Sequence, residues 1–221
     1  MSHYSVYVFQ DKNSKSIEEI LAPFDENLIL PKHVEYTKEQ AIQKVRAEIE
    51  SYRKGLYAEY LADPEKYKKG CHHEAHIKYL EEEFPKKLKW TDEECYESIA
   101  SDYRDPDDKY LSVAKNGDLM TKLNSQSKWD WYQIGGRWFG NLVTIDGKKV
   151  NETTVGKLDQ KKTPTPFAFI TLDGEWHEHG QMGWWGCVSD EKSAYKWGHE
   201  YKEYLKSLKK SIRITVVDCH I

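Results

Sequence analysis

Residues 128–140, KWDWYQIGGRWFG, restrict what this chain can build. Trp129 to Ile134 alternate and are rich in aromatic and β-branched types, the pattern of a strand. Alternation predicts Trp129, Trp131 and Gln133 on one face, and Asp130, Tyr132 and Ile134 on the other. Gly135-Gly136 then interrupts the run. Paired glycines there predict a bulge, a tight bend or a close approach of backbone to a ligand. Arg137 and Trp138 follow. An arginine beside tryptophan rings can hold an anionic, planar ligand by a bidentate grip plus stacking. The same residues also fit a core strand whose tryptophans pack and whose arginine pairs with Asp130 or another carboxylate.

Both ends of the chain read as strands. His3 to Phe9 alternates, with His3, Ser5, Tyr7 and Phe9 on one face. His3-Tyr4-Ser5-Val6 matches the His-x-Ser/Thr strand signature of two-histidine phosphoesterases, which use one histidine as base and the other as acid. No second copy of that signature is found. Ser211 to Ile221 is the final strand. Ile212, Ile214 and Val216 share a face with Asp218 and His220, so its apolar stripe turns polar at the end. An Asp and a His two apart can act as an acid/base pair or ligate a metal. They also fit a terminal strand that simply reaches solvent. If the two end strands pair, His3 and His220 lie near each other.

Between the ends, the first half is helical and the second half β-rich. Capping-box spacings mark three helix starts, at Ser16/Glu19, Thr37/Gln40 and Thr91/Glu94. The predicted helices run over 16–22, 37–61 and 91–103, with Pro23 and Asp63-Pro64 as stops. Asn116-Gly117, Asp146-Gly147 and Asp173-Gly174 are hairpin dipeptides. Phe167 to Glu178 reads as a hairpin that delivers Trp176, His177 and His179 toward a second glycine-punctuated aromatic segment with Trp184 and Trp185. Asp190 to Leu208 is an amphipathic helix with Tyr195, Trp197, Tyr201, Tyr204, Leu205 and Leu208 on its apolar side. Residues 71–76, CHHEAH, are metal-like in composition, because His72 and His76 share a helix face. Their charged surroundings read instead as a solvated helix face, and no metal is predicted. Asp25 and Glu26 are adjacent loop carboxylates.

Length and composition narrow the functional classes. The 221 residues suffice for one large domain or two small ones. The net charge of −4 argues against a general nucleic-acid binder. Tyr at 15 and Trp at 8 are numerous enough to supply stacking surfaces or an aromatic core. No apolar run approaches the roughly 20 residues needed to span a bilayer. The N-terminus has no signal-peptide pattern, so a soluble cytoplasmic protein is expected. Cys71, Cys95, Cys187 and Cys219 are scattered and read as free thiols.

The chain resembles a family of proteins encoded by tailed bacteriophages. The matching pieces are HYSV, LAPFDEN, KWDWYQIGGRW, DGEWHEHGQMGWWG and the terminal VVDCHI. Residues 35–123 have no counterpart in the resemblance and read as a variable helical insertion. The resemblance implies a viral setting, in the host cytoplasm. Phage accessory proteins often counter host defence, and several such families capture or cleave its nucleotide signals.

The expected fold is α+β. An antiparallel sheet includes both chain termini, helices cover one face, and residues 37–110 form a helical insertion or subdomain of a single domain spanning 1–221. The leading functional expectation is a protein that binds and sequesters an anionic nucleotide-like ligand. Trp129, Trp131, Tyr132 and Trp138 would stack, Arg137 would pair with phosphate, and Trp176, His177, Trp184 and Trp185 would close the other side. The alternative is a hydrolase or phosphodiesterase using His3, Asp218 and His220, with His177 and Asp25 in reserve. A third reading is an inhibitor that docks a host enzyme through exposed tryptophans. No cofactor and no membrane partner are implied, and self-association is compatible with the sequence.

Overall fold

The computed structural model describes residues 2–71, 73–183 and 186–221. The chain divides into two compact units, Met1–Ile29 with Asn124–Ile221, and Leu30–Leu123. Among the described residues no helix is long and apolar enough to cross a membrane.

The first unit is built on a six-stranded sheet. Its centre is the antiparallel pairing of the first strand, His3–Gln10, with the last, Arg213–His220. On one side of this pair lies Ala168–Ile170, followed by Trp176–Glu178 across the Asp173-Gly174 turn. On the other side Trp131–Ile134 and Glu152–Thr154 pair with different stretches of the terminal strand. The fold class is α+β, with both termini in the sheet as expected. The sheet is mixed, however, because His3–Gln10 and Ala168–Ile170 run parallel. A parallel neighbour needs a long crossover connection, and the chain between the two strands supplies one.

The alternation of the first strand divides the unit into two cores. Tyr7 and Phe9 join Phe169, Ile214 and Val216 under the helix Ala194–Ser207, which contributes Trp197, Tyr201 and Leu205. Val6 and Val8 point the other way, to Ala168, Ile170, Val217 and Cys219. That second face is covered by the short helix Ile17–Leu21 and the turn Ala22–Phe24, through Leu21 and Phe24. Helices therefore cover both faces of the sheet, not one. The Ser16/Glu19 capping box is formed. Five residues of helix suffice on the second face because Trp129 and Trp176 complete the cover.

The second unit has as its longest helix Lys38–Lys54, capped by Thr37 and Gln40. The expected continuous helix over 37–61 breaks at Gly55, and Leu56–Ala62 forms a separate helix. Glycine is the weakest ordinary helix former, so an interruption falls naturally there. Ala41 of the first helix packs with Tyr96 and Ala100 of the helix Asp92–Ala100, and with Tyr103 and Leu119. The unit also contains a three-stranded sheet, ordered His33–Tyr36, Leu119–Thr121, Ser112–Val113. Asn116-Gly117 turns between the last two, with Gly117 at φ +89°.

Phe169 tests the larger core. It is 1% exposed. Its ring stacks on Tyr204 at 5.1 Å and on Trp197 at 5.4 Å. Phe169→Ala should lower the unfolding free energy by about 3–5 kcal/mol, read by urea denaturation. A loss below about 1 kcal/mol would contradict this packing.

Candidate functional site

The pairing register assembles a row of side chains across three strands. His3 lies opposite His220, and His220 lies opposite Trp131 on its other side. One step further along, Ser5, Asp218 and Gln133 form the next row. Both rows share the face that carries Tyr7 and Phe9, because side chains two apart on a strand point the same way. The His3 and His220 rings meet edge to face, with centroids 4.8 Å apart. The Trp131 ring lies 6.1 Å from His3 and is 47% exposed.

Each histidine is held by a carboxylate through Nδ1. The His3 Nδ1 sits 3.0 Å from Asp218 Oδ1, and the His220 Nδ1 sits 2.6 Å from Asp130 Oδ1. An ionised carboxylate can only accept, so each Nδ1 carries a proton and donates it. That leaves Nε2 of both rings as the nitrogen for exchange with a ligand: an acceptor in the neutral imidazole, a donor in the imidazolium. The histidine side chains are 17% and 12% exposed, so both are reachable while largely fixed.

The two carboxylates differ in setting. Asp218 is 1% exposed. Burying an ionised carboxylate is costly unless its oxygens are bonded. Here Oδ1 takes the His3 bond and Oδ2 accepts from the Arg137 backbone N–H at 2.9 Å. Hydrogen bonds to a charged group contribute about 1.5–3 kcal/mol each, which offsets part of that burial. Asp130 has a side chain 39% exposed, and its N–H donates to the His220 carbonyl at 3.0 Å. Arg137 itself is exposed. The turn Gly136–Trp138 carries it, with its backbone N–H on the Asp218 carboxylate.

Two side chains beside the site have partners of other kinds. Ser5 Oγ accepts from the Phe167 N–H at 3.1 Å. Cys219 points to the opposite face, and burial, with the nearby Asp218 charge, pushes its thiol well above the ordinary range. It stays protonated and inert.

The predicted aromatic pocket is not assembled from its proposed members. The strand starts at Trp131, not at Trp129, so the expected alternation does not extend back. Trp129 turns into the core, 7% exposed, and its Nε1 donates to the Leu21 carbonyl at 3.1 Å. Tyr132 packs edge to face on Trp129, at 5.0 Å, on the side of the sheet away from Trp131. Trp176 also lies on that side, with its ring 4.9 Å from Phe24 and its Nε1 donating to Glu178. Trp138 is half-buried against the Tyr7 core, and its Nε1 has no hydrogen-bond partner among the described residues. His177 stacks on Phe169 at 4.9 Å, and its Nδ1 lies 3.0 Å from Glu200. Trp184 and Trp185 lie outside the described residues. Of the proposed stacking residues that are described, Trp131 alone stands beside the histidines.

The reserve residues have structural partners. Asp25 Oδ1 accepts from the Asn27 N–H in a tight loop turn. In the 71–76 segment, His72 lies outside the described residues and His76 Nε2 sits 3.1 Å from the Tyr67 hydroxyl. Among the described residues no group of three or more metal-ligating side chains is gathered.

Two contributors escaped the sequence reading. Asp130 was placed on the opposite face from Trp131, yet it holds His220. Arg137 contributes a backbone N–H, which no sequence pattern announces. The second histidine was legible in the sequence as part of Asp218-x-His220 at the strand end, and the antiparallel register sets His3-x-Ser5 opposite it. Scans against protein-family models, curated proteins and solved structures found no match to this chain.

The contacts of Glu200 with Lys192 and His177 give a pH test of this cluster. Burial alone would raise the Glu200 pKa, but Lys192 at 2.8 Å and His177 outweigh it and hold the carboxyl below its ordinary value. A depressed carboxylate contributes stability above its unfolded pKa and loses it as pH falls through the folded value. Glu200→Gln should therefore lower the unfolding free energy at neutral pH. The gap to the native protein should close as pH falls below the ordinary glutamate value of about 4.3. A gap of equal size at both pH values would contradict this.

Proposed function

We propose that this protein is an acid–base phosphoesterase acting on an anionic, nucleotide-like substrate. The observation that carries the reading is the pair of carboxylate-held histidines, with ring centroids 4.8 Å apart and both Nε2 atoms left for chemistry. One neutral imidazole takes a proton from the attacking hydroxyl, of water or of the substrate. The attacking oxygen bonds to phosphorus as the bond to the leaving oxygen breaks. The other ring, as imidazolium, gives its Nε2 proton to that leaving oxygen. Asp218 and Asp130 hold the two rings in the required tautomer, while the protons reset by exchange with water. Trp131 offers an exposed ring for a base, and Arg137 an exposed cation for phosphate.

The phage setting implied by the sequence resemblance gives such chemistry a purpose: removal of a nucleotide signal raised by a host defence. In that setting the protein works in the host cytoplasm. A second reading keeps the same ligand without turnover, as sequestration. It is favoured by the exposed Trp131 ring beside His3, which suits stacking whether or not a bond is broken.

Incubation with a panel of cyclic dinucleotides and NAD-derived cyclic nucleotides separates the two. Mass spectrometry before and after heat release should find product. His3→Ala and His220→Ala should each lower kcat/KM by at least about 10²-fold, the lower end for general acid–base groups. Turnover that survives both changes overturns the catalytic reading. Recovery of intact ligand after heat release supports sequestration instead. In either case Trp131→Ala should weaken binding, since stacking a base on an aromatic ring is worth about 1–3 kcal/mol.

A further inference from the structure

The Gly135-Gly136 pair is tied to the histidine site by two close approaches that a side chain would prevent. Gly135 has φ +77°, and a Cβ there would lie 2.4 Å from Asn151 Nδ2. Gly136 has φ +50°, and a Cβ there would lie 2.4 Å from Asp218 Oδ2 and 2.5 Å from Asp218 Cβ. Two neighbouring glycines are thus required for different reasons, one by each of two polar side chains.

The turn is latched at several points. The Gly135 N–H donates to the Val216 carbonyl at 2.9 Å, and the Arg137 N–H to Asp218 Oδ2 at 2.9 Å. The Gly140 N–H donates to Asn151 Oδ1 at 2.9 Å. Asn151 is itself docked on the terminal strand, its carbonyl accepting from the Val216 N–H at 2.8 Å. The turn therefore lies against the strand that carries Asp218 and His220. Asp218 has one oxygen on the turn and the other on His3.

We propose that Gly136 and the backbone N–H of Arg137 are positioning elements that set the Asp218 carboxylate and, through it, the tautomer and orientation of the His3 ring. They touch no substrate. Their effect passes through His3 alone, because His220 is held independently by Asp130. This inference rests on the two-histidine reading for its purpose, but its test does not depend on turnover.

The test is imidazole ¹⁵N and ¹H NMR on the full chain with labelled histidine. The native protein should show His3 and His220 both protonated at Nδ1, with far-downfield Nδ1–H resonances. Gly136→Ala should shift His3 toward a mixture of tautomers and broaden its Nδ1–H signal, leaving His220 as in the native protein. Arg137→Pro deletes the N–H that Asp218 receives together with the guanidinium, and should do the same. Arg137→Ala keeps that N–H and should leave the His3 tautomer unchanged. Agreement of the two backbone variants against Arg137→Ala supports the proposal. If Gly136→Ala fails to fold, the contrast between Arg137→Pro and Arg137→Ala decides alone. An unchanged His3 tautomer in Arg137→Pro overturns the proposal, as does an equal change in Arg137→Ala. Failure to find a hydrolysed substrate overturns the phosphoesterase reading and leaves this tautomer result standing.

Discussion

The antiparallel pairing of the first and last strands is the constraint on which the first unit depends. It joins residues more than two hundred positions apart, from His3↔His220 to Gln10↔Arg213. Beyond the strand ends, Ser2 and Ile221 exchange hydrogen bonds of 3.0 and 3.1 Å in both directions. Every other strand of the sheet is laid on this pair or on a neighbour of it. The register matters as much as the pairing. Side chains on a strand alternate, so a slip of one residue would send every apolar group to the wrong core. The same slip would separate His3 from His220. The two cores, which demand Tyr7 and Phe9 on one side and Val6 and Val8 on the other, therefore also hold the two imidazoles in contact.

That coupling explains why the polar end of the sheet tolerates a buried carboxylate. Asp218 sits at the step where the apolar stripe of the terminal strand gives way. It is enclosed by the turn, the first strand and its own strand, and both its oxygens are bonded. Replacing one partner would leave a desolvated charge unpaired, which is costlier than removing both. Asp130 faces no such penalty, because it remains partly in water. The two histidines thus have similar first contacts but unequal surroundings, one anchored in the interior and one at the rim.

Local rules carried far along this chain. All three capping boxes form, and the Asn-Gly and Asp-Gly dipeptides sit at hairpin turns, because these signals need only residues within a few positions. The nearness of His3 to His220 was also readable, since it follows once the terminal strands pair. What local pattern did not reach was the bend before Trp131. A strand beginning two residues earlier would have put Trp129 beside Trp131. Instead the chain follows the Phe24 loop, where the Glu26 N–H donates to the Trp129 carbonyl at 2.8 Å, and the indole falls into the core. That choice is tertiary, made by Leu21 and Phe24, and composition cannot show it. The third strand of the sheet in residues 30–123 was hidden likewise, because His33–Tyr36 is short and lies far in sequence from the hairpin it joins.

Two tryptophans reach the core with an acceptor for the indole N–H. A buried indole commonly finds a partner for Nε1, although that of Trp138 has none among the described residues. Trp129 takes the Leu21 carbonyl and Trp197 the Pro166 carbonyl, at 3.1 and 2.7 Å, and both serve the core. Trp131 is placed differently. Its strand is the outermost of the three that carry the site, so the ring has His220 and His3 on one side and the sheet edge on the other. Left 47% exposed there, the ring buries about half of its surface in the fold and keeps the rest open beside His3. The two imidazoles and the turn that carries the exposed Arg137 lie along the same end of the sheet, so the packing that fixes the ring also fixes its open face next to them.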